Sequence, residues 1–484
     1  DVIRVEDTYY MVSTTMHFMP GCEILQSFDL VHWEHVTYVY ETLDHTDAQQ
    51  LKSGQNIYGQ GMWAASLRYH EGRFYICFVA NDTRKTYLYT SEKIDGPWKK
   101  QLIEGFYHDG SLLFDEDGRN YIVYGNDEIW ITELNEDLTA PKKDGLHRLL
   151  VSDHKNPELG YEGSHIQKIN GYYYIFLVHS LRDRWMRTEA CFYSDSLEGE
   201  FTGGDVLCDD RGYCGQGVAQ GGIVDTPDGK WYAMLFQDSG AVGRIPILLP
   251  VTWKDHFPFF GQNGHVPEEI EVHSTRPGYI YQPLVGSDDF CNGLLPRWQF
   301  NHDPDPRYYH LDALQGTYTI TTREVCTELT QAVNTLTQRM SYPSCAAEVT
   351  VDASALKEGD VAGLCALQSC YAAVGITKHH GKYEVLMLDK KEDGILDMTE
   401  GTVVESHQMD FRLEADFCNM KDEARCYYRV NKGDWLPIGT VHKLYFKLDH
   451  FTGCRFGLFC YAAEETGGSA CFRDFKYYDV DEIS

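Results

Sequence analysis

The segment Gly160-Tyr161-Glu162-Gly163-Ser164-His165 holds a carboxylate between two glycines. It stands directly ahead of residues that read as a strand, a glycine turn and a second strand, Ile166 to Ile175. Glycine lets backbone and ligand approach where a Cβ would intrude, so Glu162 is a candidate acid presented at a strand end. Two other carboxylates share that placement. Asp109, in Tyr107-His108-Asp109-Gly110-Ser111, precedes the apolar Leu112-Leu113-Phe114, and Asp1 precedes Val2-Ile3-Arg4-Val5. Carboxylates brought together raise one another's pKa, so that one keeps its proton at neutral pH. Glycoside hydrolysis needs such a set: a neutral acid protonates the leaving oxygen while an ionised base activates water. Any one of the three also reads as an ordinary turn acid; the repeated placement is what favours chemistry.

That placement follows from a repeat. A turn followed by a Tyr- or Phe-rich strand occurs at Asp7-Thr8-Tyr9-Tyr10-Met11, Gly72-Arg73-Phe74-Tyr75-Ile76, Gly118-Arg119-Asn120-Tyr121-Ile122, Gly171-Tyr172-Tyr173-Tyr174-Ile175 and Gly229-Lys230-Trp231-Tyr232-Ala233. A spacing of roughly 45–65 residues, with strands and turns but no helical period, is the mark of β-propeller blades. Five copies imply five blades, with the first strand of each lining a central funnel. After about Pro283 the pattern changes. Short strands such as Thr317 to Thr321, Ala347 to Val351 and Lys443 to Leu448 alternate side chains with a period of two, as half-buried strands do. The chain is therefore read as all-β: a five-bladed propeller over residues 1–285 and a β-sandwich over 286–484.

Composition narrows the partners. The net charge of −31 opposes nucleic acid and anionic membrane surfaces, and no apolar run approaches the ~20 residues of a membrane span. Fifteen cysteines, an odd number without a Cys-x-x-Cys pair, point to free thiols in a reducing compartment and to a cytoplasmic rather than secreted protein. The first residue is Asp1 rather than Met, inside a strand-like segment, so the N-terminus reads as trimmed. Gly215-Gln216-Gly217-Val218-Ala219-Gln220-Gly221 misses the dinucleotide spacing, and Asp115-Glu116-Asp117-Gly118 lacks the rest of a calcium loop.

Taken together, Asp1 to Val5, Thr14-Thr15-Met16-His17-Phe18-Met19-Pro20-Gly21, Met62-Trp63-Ala64-Ala65-Ser66, His108-Asp109-Gly110-Ser111 and Tyr161-Glu162-Gly163-Ser164-His165 resemble the signatures of glycoside hydrolase family 43. The region after residue 286 resembles the concanavalin-like C-terminal domain of its β-xylosidase members. The resemblance implies that Glu162 is the general acid and that Asp109 tunes and orients it. It implies that Trp63, Phe18, Arg244 and His165 bind substrate. It also implies an inverting exo-glycosidase that releases terminal arabinofuranose or xylose from hemicellulose-derived oligosaccharides.

Two departures qualify it. The family's general base is an Asp two positions before the residue that Asp1 matches, so either the base lies upstream of the sequence given or Asp1 stands in for it. Many members also carry a His near a bound cation on the fifth blade. Ala219-Gln220-Gly221-Gly222 stands there instead, so no cofactor is required, and the Gln220 carbonyl is the atom left to serve a structural calcium. A non-catalytic sugar-binding protein and a five-bladed phosphorylase are the alternative readings. The sequence is silent on oligomeric state.

Overall fold

Four-stranded antiparallel sheets succeed one another five times along the first half of the chain. The first comprises Val2–Val5, Thr8–Ser13, Gly21–Ser27 and Glu34–Tyr40, and the second Met62–His70, Arg73–Ala80, Lys85–Ser91 and Lys99–Ile103. The third comprises Ser111–Phe114, Asn120–Asn126, Glu128–Leu134 and His147–Ser152. Glu162–Ile169, Tyr172–Ser180, Arg187–Ser194 and Thr202–Leu207 make the fourth; Ala219–Asp225, Trp231–Asp238, Arg244–Lys254 and Phe257–Phe260 make the fifth. This computed structural model describes residues 1–479. The five sheets are the blades of a propeller, as the repeat predicts, and the aromatic segment found five times is the second strand of each blade.

The aromatic content has a packing cause. Each blade is sandwiched between two others, so its middle strands are covered on both faces and lose the polar alternation of a one-sided sheet. Tyr121, Val123, Ile129 and Ile131 of the third blade pack into one buried cluster with Ile166, Tyr173, Ile175 and Leu177 of the fourth. Each blade keeps its four strands within one stretch of the chain, so no strand is shared between the first and last blades. Side chains join those two instead. Val2, Tyr9 and Met11 pack with Val224, Tyr232 and Met234, and the Arg4 guanidinium pairs with the Asp225 carboxylate. The first strands of the blades contact one another around the axis and all start at the same end. Asp1, Asp109 and Glu162 therefore stand at the heads of the first strands of blades one, three and four.

Beyond residue 260 the chain runs along the first blade, where Tyr279 donates its hydroxyl to Glu34, and then enters a β-sandwich. A seven-stranded sheet centred on Ser344–Asp352 and Ser469–Asp479 faces a nine-stranded sheet centred on Val361–Leu367 and Arg455–Tyr461. Val349, Val351, Phe411, Leu413 and Phe472 meet Leu336, Leu364, Val374, Phe456 and Leu458 in the core between them.

Two expectations are corrected. The strand read over Lys443 to Leu448 ends at Lys443, because the last part of that segment turns towards the propeller and delivers His450, Phe451 and Thr452 to it. Phe18 does not face the sugar pocket. Phe18–Met19 is a two-residue strand that leaves the first blade and pairs antiparallel with Gln299–Asn301, becoming the edge strand of the nine-stranded sheet. Its ring is fully buried among Leu329, Val361 and Phe459, with the Arg455 guanidinium 3.8 Å above its centroid.

Candidate active site

The acid candidates meet. Gly163 donates its backbone N–H to Asp109 Oδ2 at 3.0 Å, which holds the third and fourth blades in register at their heads. His108 Nε2 lies 3.5 Å from Asp109 Oδ2 and 3.5 Å from Glu162 Oε2, and Asn126 donates Nδ2–H to Glu162 Oε2 at 2.9 Å. Gly163 is needed for this arrangement: its φ is +69°, and a Cβ there would meet the Gln220 side chain at 2.7 Å. The glycine thus admits Gln220 of the fifth blade against the strand that presents Glu162.

The electrostatics distinguish the members. Burial pushes the Asp109 carboxyl above the usual range, His108 opposes that shift, and the Glu162 charge adds to it. Burial works against charge on His108, but the two carboxylates outweigh it and raise its pKa to about 9. The imidazolium thus sits between two acids and is held there by both.

A cavity of ≈ 170 Å³ adjoins this cluster, lined among others by Asp1, His165, Gln220, Phe236, Arg244 and Phe451. Glu162, Asp109 and Trp63 are beside it rather than in its wall. Gln220 abuts Gly163, and Trp63 packs edge-on against Phe451 at 5.4 Å while standing 6.2 Å from His108. Arg244 stacks between Phe236 and Phe451, at 4.5 and 4.2 Å from the two ring centroids. Its Nε is held by Asp238 Oδ1 at 3.0 Å, which leaves the outer nitrogens of the fork available to a hydroxylated ligand.

Asp1 is bound in a different way from a base. Its Oδ2 accepts from Leu67 N–H at 2.9 Å and from Arg68 Nη1 at 2.5 Å, and its Oδ1 lies 3.2 Å from His165 Nδ1. With 1% of its side chain exposed, the carboxylate is occupied by these partners, and the geometry assigns it an anchoring role. Arg68 is the hub. It also donates to Leu112 O, Ser111 Oγ and Ile166 O at 2.8, 2.7 and 3.0 Å, tying the first strands of four blades together. Burial lowers its pKa to about 10, which leaves it charged at neutral pH.

Gln220 does not suit a calcium at its side-chain oxygen. Arg187 Nη2 lies 3.4 Å from Oε1, and a guanidinium there repels a cation. Gln220 N–H donates to Glu189 Oε2 at 2.7 Å. Glu189 is fully buried, and burial lifts its carboxyl well above the usual range. Among the described residues, the one group of three His, Cys, Asp or Glu side chains whose ligand atoms converge is His108, Asp109 and Glu162.

Sequence reasoning missed Asn126, Arg68, Arg187, Glu189 and, above all, the contribution of the sandwich. Phe451, Thr452 and Arg339 come from the second domain and complete the cavity wall. Two glycines allow the approach. A Cβ on Gly243 would meet Gly453 N at 2.6 Å, and one on Gly453 would meet Val242 O at 2.1 Å.

The profile of glycosyl hydrolases family 43 matches residues 1–258. The chain belongs to this family. The profile of the beta xylosidase C-terminal concanavalin A-like domain matches residues 287–478, so the family 43 propeller and its sandwich are both present, and the expected glycoside hydrolase class holds. A beta-xylosidase of Formosa agariphila is 26% identical over 99% of this chain and 87% of its own length. A non-reducing end alpha-L-arabinofuranosidase of Bacteroides ovatus is 23% identical over 82% of this chain and 77% of its own. Among solved structures, a bifunctional GH43-CE protein of Bacteroides eggerthii superposes with a TM-score of 0.91 at 42% identity. The match covers 99% of this chain but 62% of that one. An engineered family 43 enzyme with endo-xylanase and exo-arabinofuranosidase activity superposes with a TM-score of 0.85 at 27% identity, over 99% of this chain and 97% of that one.

Proposed function

We propose that this family 43 protein is an exo-acting, inverting glycosidase that removes terminal arabinofuranose or xylose from hemicellulose-derived oligosaccharides. The observation that carries the reading is the juxtaposition of Glu162, Asp109 and His108 beside a cavity of ≈ 170 Å³. That space suits one terminal sugar better than the middle of a chain, and relatives named for xylosidase and arabinofuranosidase activity support a pentose.

In this reading Glu162 delivers a proton to the glycosidic oxygen. Asp109 and Asn126 orient it, and Arg244 holds sugar hydroxyls with its free donors. Phe451 lines the apolar side of the pocket, and Trp63 packs edge-on behind it. The Asp1 carboxylate, engaged by Arg68 and His165, is not the water-activating base of this reading. Inversion requires acid and base to stand about 6.5–9.5 Å apart, leaving room for water. The phosphorylase alternative is disfavoured because the cations of the cavity are already neutralised, Arg244 by Asp238 and Arg339 by Glu23.

The test compares Glu162→Gln with the parent in the natural full-length protein. Turnover of an unactivated xylo- or arabino-oligosaccharide should fall by about 10²–10⁴-fold, the usual worth of a general acid. A dinitrophenyl pentoside, whose leaving group needs little protonation, should lose much less. Equal turnover of the variant and the parent on the oligosaccharide would remove Glu162 from the role.

A further inference from the structure

The same three side chains have the geometry of a cation site. His108 Nε2 is 3.5 Å from Asp109 Oδ2 and 3.5 Å from Glu162 Oε2, and all three ligand atoms lie within 4.8 Å of one another. Ligands at about 2.0–2.2 Å from a tetrahedral zinc ion stand about 3.4 Å apart along each edge. Both measured separations match such an edge. His108 Nε2 is closed off from solvent and makes no well-aligned hydrogen bond to either carboxylate, so a zinc ion bound there would take the place of its proton, which is released to solvent.

The surroundings match what oriented metal ligands need. Asn126 donates to the same Glu162 oxygen and Gly163 to the same Asp109 oxygen. A carboxylate oxygen has a second lone pair, so these bonds fix each ligand without consuming it. The Glu162 and His108 side chains are 23% and 21% exposed, against 5% for Asp109, which leaves an open side for a fourth ligand, water or a sugar oxygen. One imidazole nitrogen with two carboxylate oxygens suits zinc. Calcium takes 6–8 oxygens, and magnesium keeps most of its waters.

We propose that His108, Asp109 and Glu162 form a binding site for one zinc-type divalent cation, and that filling it shuts the enzyme off by occupying the oxygen from which the proton would leave. The binding half stands on the geometry alone; the inhibitory half rests on the glycosidase reading.

Calorimetric titration of zinc chloride into the full chain, dialysed against chelator and then buffer, tests the binding half. One site per chain is expected. His108→Asn and Glu162→Gln should each weaken it by about tenfold or more, with unchanged circular dichroism and a cooperative melting transition establishing that both variants are folded. Magnesium chloride should give no comparable site. The proposal is overturned if no one-to-one zinc site exists, or if the site keeps its affinity in both folded variants. For the second half, zinc should suppress pentoside turnover over the range that fills the site, and chelator should restore it. A filled site with undiminished turnover overturns the inhibition. A filled site on a chain that hydrolyses no glycoside when metal-free leaves the site standing and removes the glycosidase reading instead.

Discussion

His108, held between Asp109 and Glu162, sets the charge balance of the acid cluster. Its folded-state pKa of about 9 lies above the ordinary 6.5. The imidazolium therefore stabilises the fold in full below about pH 6.5, and that contribution is lost as pH rises through about 9. Melting curves of the parent and His108→Asn should lie furthest apart in acid and converge by about pH 10; a gap that stays constant would deny the imidazolium this role. Asp109 carries the opposite cost. Its carboxyl is buried and its pKa raised, so ionisation at neutral pH works against the fold. Asp109→Asn keeps an acceptor for Gly163 N–H and removes the charge. Its melting temperature should hold or rise while turnover drops by about 10-fold or more, the trade between stability and a strained catalytic group. A variant with a lower melting temperature and unchanged turnover would contradict this.

At the scale of the element, the first strands of the blades are held by one guanidinium. Arg68→Met leaves the Asp1 carboxylate buried without its cation, and breaking such a pair costs about 3–5 kcal/mol. Denaturant unfolding should register that loss. The excursion Phe18–Met19 gives a sharper contrast. A residue of the sugar pocket would change KM on substitution. Phe18 instead fills the sandwich and caps Arg455, so Phe18→Ala should cost about 3–5 kcal/mol of stability with KM unaltered in the surviving folded fraction.

This contrast also marks how far the sequence could be read. Glu162 and Asp109 were legible because each sits in a short run whose glycines declare a strand head, and a repeat then forces those heads together, whereas Trp63 and Arg244 were named by the family resemblance alone. Arg68 was not, because its four partners come from strands spread between residues 1 and 166. Phe18 carried the right residue type in the right run, yet nothing local reveals that two residues leave their own blade to pair with a strand near residue 300. Phe451 was hidden in the same way. Its segment alternates like a strand, and only the fold converts it into a turn aimed at the other domain.

For the whole molecule, these crossings make the two domains one working unit. Phe451, Thr452 and Arg339 belong to the cavity wall, and the Gly243–Gly453 contact brings backbone against backbone. Residues 1–285 expressed alone should therefore lose activity on pentosides even where blades form. Mixing in the separately made second half should restore part of it, by a measured rise in turnover. Unimpaired turnover by the isolated first half would contradict a cavity shared between domains.

The two-residue strand at Phe18–Met19 also bears on the order of events at the ribosome. Its pairing partner, Gln299–Asn301, is made some 280 residues later, and synthesis at about 5–20 residues per second separates the two by roughly 14–56 seconds. Throughout that interval the nascent chain carries an apolar tip with no sheet to join. The first half of the protein is thus born sticky, and until the second half emerges it depends on whatever shields nascent chains in its cell.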